Sequence, residues 1–270
     1  MGDHNNNFQD SSFTLYKAYS YTLLLQLEAA SFNYAVAHNN QLLAWAQNCS
    51  LNELTGHGQL TDLLSATYKK VIVGLPATGL TLVPKELFKE DRVADIARFL
   101  DVNDHEKVFA QSLDNQNVII YKTDESLVSA IEKFGLKNTV YTAKGWITAI
   151  SKNKPSDDKL YVEVGKDTVQ FLYYSLDELR FYNTFEFKNE DELSYFAAFV
   201  TQQLELNPKV VKLVLSGDVE IGDKRMKRLA EFFPDIELNT IKMLELPEQI
   251  AAHKILALAA LSLCGSSEEI

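Results

Sequence analysis

The feature of this sequence that most constrains its fold is an order of elements that occurs twice. Each half contains three β-rich segments, a helical segment and a short apolar segment that leads to a glycine. In the first half the apolar segment is 71–73, before Gly74, and in the second half it is 213–215, before Ser216 and Gly217. Uniformly apolar segments of this length are typical of strands that are buried on both faces. The repeated order therefore predicts two similar α/β lobes, and it favours an internal duplication.

Alternating or continuous apolar patterns predict the strands of both lobes. In the first half the predicted strands are 21–27, 31–37, 41–46, 70–76, 108–113 and 117–121. In the second half they are 160–164, 168–174, 179–187, 210–217 and 238–243. The first three strands of each half form an antiparallel meander. Each lobe is therefore expected to contain a mixed sheet covered by helices.

Apolar residues at helical spacing predict helices within 60–68, 84–100, 124–134, 189–204, 223–233 and 247–264. Asp124 and Asn189 are expected N-caps, because their side chains accept hydrogen bonds from free backbone N–H groups. The segment 139–150 has no clear pattern. A polar segment at 151–158 is the best linker, so we predict a flexible tail at 1–12, a first lobe at 13–154 and a second lobe at 155–270.

Charge and composition narrow the possible functions. The chain has 270 residues, 26 basic and 37 acidic, and a net charge of −11, which disfavours nucleic-acid binding. We find no Lys/Arg cluster that would form a basic groove. The two cysteines and five histidines lack metal-ligand spacing, so no metal site is expected. With no signal peptide and no apolar segment long enough for membrane insertion, a cytoplasmic protein is expected.

Two segments carry a resemblance to a known family. They are Ser31-Phe32-Asn33-Tyr34-Ala35-Val36, and the C-terminal residues His253-Lys254-Ile255-Leu256-Ala257-Leu258 with Leu261-Ser262-Leu263-Cys264. They are similar to an uncharacterised family from Bacteroides-type bacteria with an actin-like ATPase fold. The order of elements over nearly the whole chain resembles the actin, sugar-kinase and heat-shock-chaperone superfamily, and more distantly proteins of the FtsA and PilM kind. The resemblance implies a duplicated, ribonuclease H-like, two-lobed α/β fold with its site between the halves.

In that superfamily two β-hairpins hold the phosphates of ATP. The acid of each Asp-x-Gly or Glu-x-Gly motif holds Mg²⁺ through water, and the glycine lets backbone N–H groups approach the phosphates. Here Gln26 replaces the first acid and Glu28 replaces the first glycine. At ~4 Å and an effective dielectric of ~20, a carboxylate beside one phosphate charge costs about 4 kcal/mol. The resemblance therefore implies that Gln26 and Glu28 are degenerate positions.

The second hairpin is better preserved and reads Glu163-Val164-Gly165-Lys166-Asp167-Thr168. By resemblance, Glu163 would hold a metal ion, Gly165 would permit close approach, and Lys166 or Thr168 would reach a phosphate. In the alternative, Gly165, Lys166 and Asp167 simply form a tight turn.

The turn that packs on adenosine in the superfamily carries two glycines. Here it reads Ser216-Gly217-Asp218, so Ser216 and Gly217 remain candidates while Asp218 is a degenerate position. No catalytic residue is assigned, and GxSxG, HExxH, P-loop and GxGxxG motifs are absent from the sequence.

Three functions are compatible with these residues. The first is a pseudo-ATPase without a cofactor that acts through contacts with an unidentified protein partner. The second is an ATP-binding protein or kinase that uses Mg-ATP and the second hairpin, and the third is a binder of another small molecule between the lobes. The aromatic segment 171–187 either packs on its own helices or forms a partner surface.

Overall fold

The computed structural model describes residues 7–56 and 58–264, which divide into two compact units. The first unit contains the chain up to Thr148 together with the residues from Leu258 on, and the second is Ala149–Ala257. No helix in the described part of the chain is long and apolar enough to cross a membrane.

The first unit contains nine strands among its described residues. They are β1 Asn7–Gln9, β2 Thr22–Leu27, β3 Ser31–His38, β4 Gln41–Ser50, β5 Lys70–Leu75, β6 Gly79–Pro84, β7 Glu106–Ser112, β8 Asn117–Asp124 and β9 Thr139–Tyr141. Six of them form a sheet in the order β1-β4-β3-β2-β5-β9, with β2, β5 and β9 parallel and the other pairs antiparallel. β1 lies within the segment 1–12 that we expected to be a flexible tail.

The second unit, all of whose residues are described, contains one sheet of five strands. They are β10 Lys159–Val164, β11 Thr168–Ser175, β12 Glu178–Glu186, β13 Lys212–Gly217 and β14 Ile236–Leu238. Their order is β12-β11-β10-β13-β14, with β10, β13 and β14 parallel and the meander antiparallel. Apart from β1, the two sheets match strand for strand in order and direction. The predicted mixed sheet with a three-strand meander is confirmed in each unit.

Seven α-helices accompany the sheets in the described residues. They are α1 Thr61–Ser65, α2 Val93–Ala97, α3 Glu125–Ala130, α4 Lys144–Lys152, α5 Glu190–Gln203, α6 Lys224–Ala230 and α7 Ala252–Ala260. Both expected N-caps are confirmed, since Asp124 accepts from the N–H of Ser126 and Asn189 from that of Glu192. α4 and β9 fill the segment 139–150 that had no clear pattern, and α4 ends inside the expected linker.

The helix predicted within 84–100 is present as the five residues of α2, and strand β6 occupies the start of the segment up to Pro84. Helical spacing predicts that Val93, Ile96, Ala97 and Leu100 point inward; Ala97 is buried and the other three are half-buried. Two other element predictions are wrong in extent. The last strand ends at Leu238 and does not occupy 238–243. The C-terminal helix begins at Ala252, five residues after Pro247, and ends in a 3₁₀ turn.

The strands β6, β8 and β7 form a separate three-stranded sheet in the first unit. A nearly buried ion pair, Lys122 Nζ to Glu106 Oε2 at 2.8 Å, holds β8 and β7 together. On β7, the amide of Gln111 donates to Thr139 O at 3.2 Å and accepts from Tyr141 N at 2.8 Å. Gln111 therefore binds the edge of β9 as the backbone of another strand would.

The aromatic segment 171–187 packs on the helix layer of its own unit. Phe185 on β12 stacks on Phe196 of α5 with ring centroids 4.7 Å apart, and it also contacts the fully buried Phe171. Phe199 of α5 also contacts Phe185, and Tyr195, which is exposed, stacks on Phe199. Packing on its own helices therefore accounts for the inner face of segment 171–187. An exposed aromatic surface remains on α5.

Candidate functional site

The first predicted phosphate hairpin lies where β2 turns into β3. The N–H of Glu28 donates to the carbonyl of Ser31 at 2.9 Å, which leaves the exposed Ala29 and Ala30 as the turn. Gln26 is half-buried and pairs with Asn33 on one side and with Gly74 of β5 on the other. Its neutral amide therefore lies at the end of the sheet, where the resemblance places a metal-holding acid.

The Glu28 side chain is bound by its own hairpin. Its carboxylate accepts from the Ser31 hydroxyl at 2.8 Å and from the Asn33 amide at 3.0 Å. The buried Asn33 is fixed in turn, because its oxygen accepts from the backbone N–H of Asn48 at 2.9 Å. Glu28 therefore lies along the hairpin as an anion whose hydrogen bonds come from the chain itself.

The second hairpin joins β10 to β11. Gly165 N donates to Thr168 O at 2.7 Å, and a Cβ at Gly165 would lie 2.9 Å from Thr168 Oγ1 and 3.0 Å from Thr168 O. A side chain at this position would therefore press on Thr168 within the turn. Lys166 and Asp167 are exposed at its tip. Glu163 is 8% exposed and pairs with Ser216 of β13, so these two candidates are neighbours on parallel strands.

Gly217 makes a very close backbone approach to the end of β10. It has φ +86°, and a Cβ there would lie 2.2 Å from the carbonyl oxygen of Val164 and 2.9 Å from Glu163 Oε1. The next residue, Asp218, donates its N–H to the same Val164 oxygen at 2.6 Å. The Ser216 hydroxyl is fully buried and has no hydrogen-bond partner within the described part of the chain.

Arg225 of α6 joins the second hairpin to the Ser216–Asp218 turn, and sequence reasoning missed it. Its guanidinium donates to the Asp218 carboxylate at 2.9 Å and to Lys166 O at 2.9 Å, and it lies over the Phe187 ring. The signal that could have found it is the basic sequence Lys224-Arg225-Met226-Lys227-Arg228. One guanidinium therefore holds both segments together.

The start of α7 holds the residues that follow this turn. His253 Nε2 lies 2.9 Å from Val219 O, and Lys254 pairs with Glu220. Burial lowers the pKa of His253, so the neutral ring donates from Nε2 to that carbonyl. The Lys254 ammonium lowers the pKa of Glu220. The segment from Gly217 to Glu220 is thus fixed by side chains of two helices.

The predicted nucleotide-binding residues of the second hairpin and of the Ser216–Asp218 turn lie close together in the second unit. Glu163 pairs with Ser216 on the neighbouring strand, and Arg225 links Lys166 to Asp218. Gly165 and Gly217 lie next to these residues in the chain. Gln26 and Glu28 belong to the first unit, where they share one hairpin. Among residues 7–56 and 58–264, no cluster of three His, Cys, Asp or Glu side chains has metal-binding geometry.

Known structures share this fold. A Bacteroides thetaiotaomicron protein with an actin-like ATPase fold and unknown function matches with a TM-score of 0.75 and 20% identity, covering 93% of this chain and 99% of that one. The PilM–PilN type IV pilus biogenesis complex matches with a TM-score of 0.59 and 13% identity, covering 90% and 98%. At these identities the likeness shows the actin-like ATPase fold alone. No curated protein matches the chain significantly.

A family model that is described as a protein of unknown function, DUF3822, matches residues 10–236. The match includes both predicted phosphate hairpins, the Ser216–Asp218 turn and Arg225. The match covers well over half of the chain, so this protein belongs to the DUF3822 family.

Proposed function

We propose that this protein is a pseudo-ATPase with an actin-like fold that has lost productive ATP binding and acts by binding another protein. One observation carries the proposal: Ser31 and Asn33 hold the Glu28 carboxylate on the first hairpin at 2.8 and 3.0 Å. A carboxylate that is stabilised in this way opposes a phosphate at the same turn. Gln26 adds to the effect, since a neutral amide offers Mg²⁺ no charge.

The Asp218–Arg225 pair supports the same proposal in the second unit. Asp218 replaces a glycine of the expected adenosine turn, and its carboxylate is bound by Arg225 at 2.9 Å. Both acids at glycine positions therefore have partners within the chain. We also propose that the two units arose by duplication, which is supported by the five strands that their main sheets share in the same order and direction.

A role in protein contacts is supported by exposed aromatic side chains. Tyr195 is 61% exposed and stacks on Phe199 on the outside of α5. Paired aromatics of this kind supply large contact areas in protein interfaces. The similar PilM structure is a complex with PilN. We place the protein in the cytoplasm, which agrees with two cysteines that are not disulfide-bonded.

The thermal shift with Mg-ATP tests the proposal. A site with ATP at about 100 times its Kd would gain about 2.7 kcal/mol of stability. We expect no shift for the wild type at millimolar Mg-ATP. The variant Glu28→Gln removes the charge while keeping an acceptor, and Glu28→Gly restores the superfamily glycine. A clear wild-type shift would contradict the proposal.

The alternative is ATP binding through the second hairpin alone. The Ser216 hydroxyl is buried at the position that pairs with Glu163, and this hydroxyl has no hydrogen-bond partner among the described residues. Buried polar groups normally have such partners, which favours the alternative. This alternative predicts a wild-type shift that Glu163→Gln abolishes and Glu28→Gln leaves unchanged. The absence of any shift at millimolar Mg-ATP would exclude it.

A further inference from the structure

The hairpin that joins β11 to β12 has an unusual residue at its tip. Leu176 and Asp177 form a two-residue turn between the paired strands, with φ values of +55° and +60°. Turns with positive φ at both positions favour asparagine, aspartate and glycine, because most other side chains are crowded there. Leu176 is therefore held in a backbone conformation that leucine disfavours.

The side chain of Leu176 is also in water, since it is 80% exposed. In the first unit, the turn that joins β3 to β4 also has two residues, and Asn39 occupies the corresponding position with φ +54°. Asparagine is polar and tolerates this conformation. Leu176 thus combines backbone strain with apolar exposure, which Asn39 avoids at the matching turn. Residues held in disfavoured conformations cluster at functional sites.

A second exposed aliphatic residue and two aspartates lie at the same end of the sheet. The Tyr173 hydroxyl, near the end of β11, donates to Asp157 O at 3.0 Å, and Asp158 O accepts from the first N–H of β13 at 2.8 Å. Val210, just before β13, is 68% exposed. Because β10 lies between β11 and β13, the segment that precedes β10 lies between the Leu176 turn and Val210.

The charges at this end of the sheet favour a basic partner. Three exposed aspartates have no ion pair in the described part of the chain, namely Asp157, Asp158 and Asp177. The bases on the neighbouring strands pair with other acids: Arg180 with Glu178, and Lys159 and Lys212 with Glu237. Lys209, next to Val210, adds a single positive charge. Interfaces join surfaces of opposite charge, so the complementary surface is basic.

We propose, building on the proposed role in protein contacts, that Leu176 inserts into an apolar pocket of another protein whose rim carries lysine or arginine. Val210 extends the apolar contact, and the three aspartates pair with the rim. A buried anchor surrounded by polar contacts is common in protein interfaces. A second copy of this chain does not fit this description, because it presents the same acids and a net charge of −11.

The variant Leu176→Asn tests whether Leu176 serves its own fold. Asparagine accepts positive φ and removes an exposed apolar side chain, so the melting temperature should equal or exceed that of the wild type. Asn39→Leu is the matched variant in the first unit, and it should lower the melting temperature. A lower melting temperature for Leu176→Asn would show that Leu176 stabilises its own unit, and it would overturn the proposal.

Site-specific photo-crosslinking identifies the partner. Benzoylphenylalanine replaces Glu178, which directly follows the turn, in the full chain expressed in the cells that naturally produce it. The same replacement at Gln41, which directly follows the Asn39 turn, is the matched control. We expect a protein that is cross-linked from the first position and not from the second. The absence of such a product would overturn the proposal.

The affinity of the cross-linked protein for purified variants is the decisive measurement. We expect its Kd for Leu176→Asn to be about tenfold higher than for the wild type, or more. Leu176→Met should bind like the wild type, and added salt should weaken binding. An unchanged Kd for Leu176→Asn would overturn the proposal. A partner cross-linked from Tyr195 and not from Glu178 would also overturn it but would leave the proposed function intact, which ATP binding tests independently.

Discussion

At the scale of single residues, the two acids at expected glycine positions are not isolated changes. Glu28 is bound by Ser31 and Asn33, and Asp218 is bound by Arg225. Each acid has donors of its own, so the sequence around it accommodates the charge without a ligand. Both carboxylates are therefore stabilised by the folded protein itself, and the Mg-ATP experiments test whether ATP still binds beside them.

Gly217→Ala is expected to destabilise the protein strongly. The change would force a Cβ to 2.2 Å from Val164 O in a backbone conformation, φ +86°, that alanine disfavours. The conformation alone costs roughly 1–2 kcal/mol, and the clash adds to it. Urea denaturation measures the loss.

Gly222→Ala is the matched control for this prediction. Gly222 also has a positive φ, +78°, but among the described residues no atom lies within 4 Å of the place that a Cβ would occupy. Gly222→Ala should therefore lower the free energy of unfolding by the conformational cost alone, roughly 1–2 kcal/mol. Equal losses in the two variants would show that the contact with Val164 O is unimportant.

Glu106 is expected to make the free energy of unfolding depend on pH in the acid range. Burial alone raises its pKa, but hydrogen bonds from Lys122, Thr78 and Asn103 N outweigh burial and lower the pKa from 4.5 to about 2. The unfolded chain therefore binds the proton more tightly, so the stabilisation is complete above pH 4.5 and is lost as the pH falls toward 2.

Glu106→Gln tests this dependence. The difference in the free energy of unfolding between wild type and variant should shrink across that pH window, as measured by urea denaturation at several pH values. A difference that stays constant would contradict the assignment. Lys122→Met should cost about 3 kcal/mol at neutral pH, because it leaves a nearly buried carboxylate without its cation.

At the scale of elements, the Gln111 side chain joins the small β6-β8-β7 sheet to β9 of the larger sheet. It accepts from Tyr141 N and donates to Thr139 O. Gln111→Leu should leave both backbone groups without these bonds and cost about 1–3 kcal/mol. Native-state hydrogen exchange should show faster exchange at the Tyr141 N–H, and unchanged exchange there would contradict this role.

Sequence patterns predicted the elements whose environment is uniform along their length. The buried strands β5 and β13 follow from continuous apolar residues, and the cap of α5 follows from Asn189. The periodicity within 84–100 predicts a helix but not its length of five residues, since strand β6 extends to Pro84. Arg225 was missed because it reaches Lys166, 59 positions earlier in the chain, and no local pattern reports such a contact.

At the scale of the whole molecule, two units with the same order of strands form an actin-like ATPase fold. The features expected of the superfamily's nucleotide site are distributed unequally between them. The first unit replaces an acid and a glycine with Gln26 and Glu28, whereas the second keeps Glu163, Gly165 and Gly217. The fold therefore persists in this chain beside a site that we propose no longer serves ATP.

Direct binding of labelled ATP tests this central proposal most closely. Equilibrium dialysis of the wild-type protein with Mg-ATP, at protein and nucleotide concentrations up to the millimolar range, measures occupancy without relying on a change in stability. The account predicts no saturable binding in the micromolar range. Saturable micromolar binding at one ATP per chain would contradict it, and its loss in Glu163→Gln would assign that binding to the second hairpin.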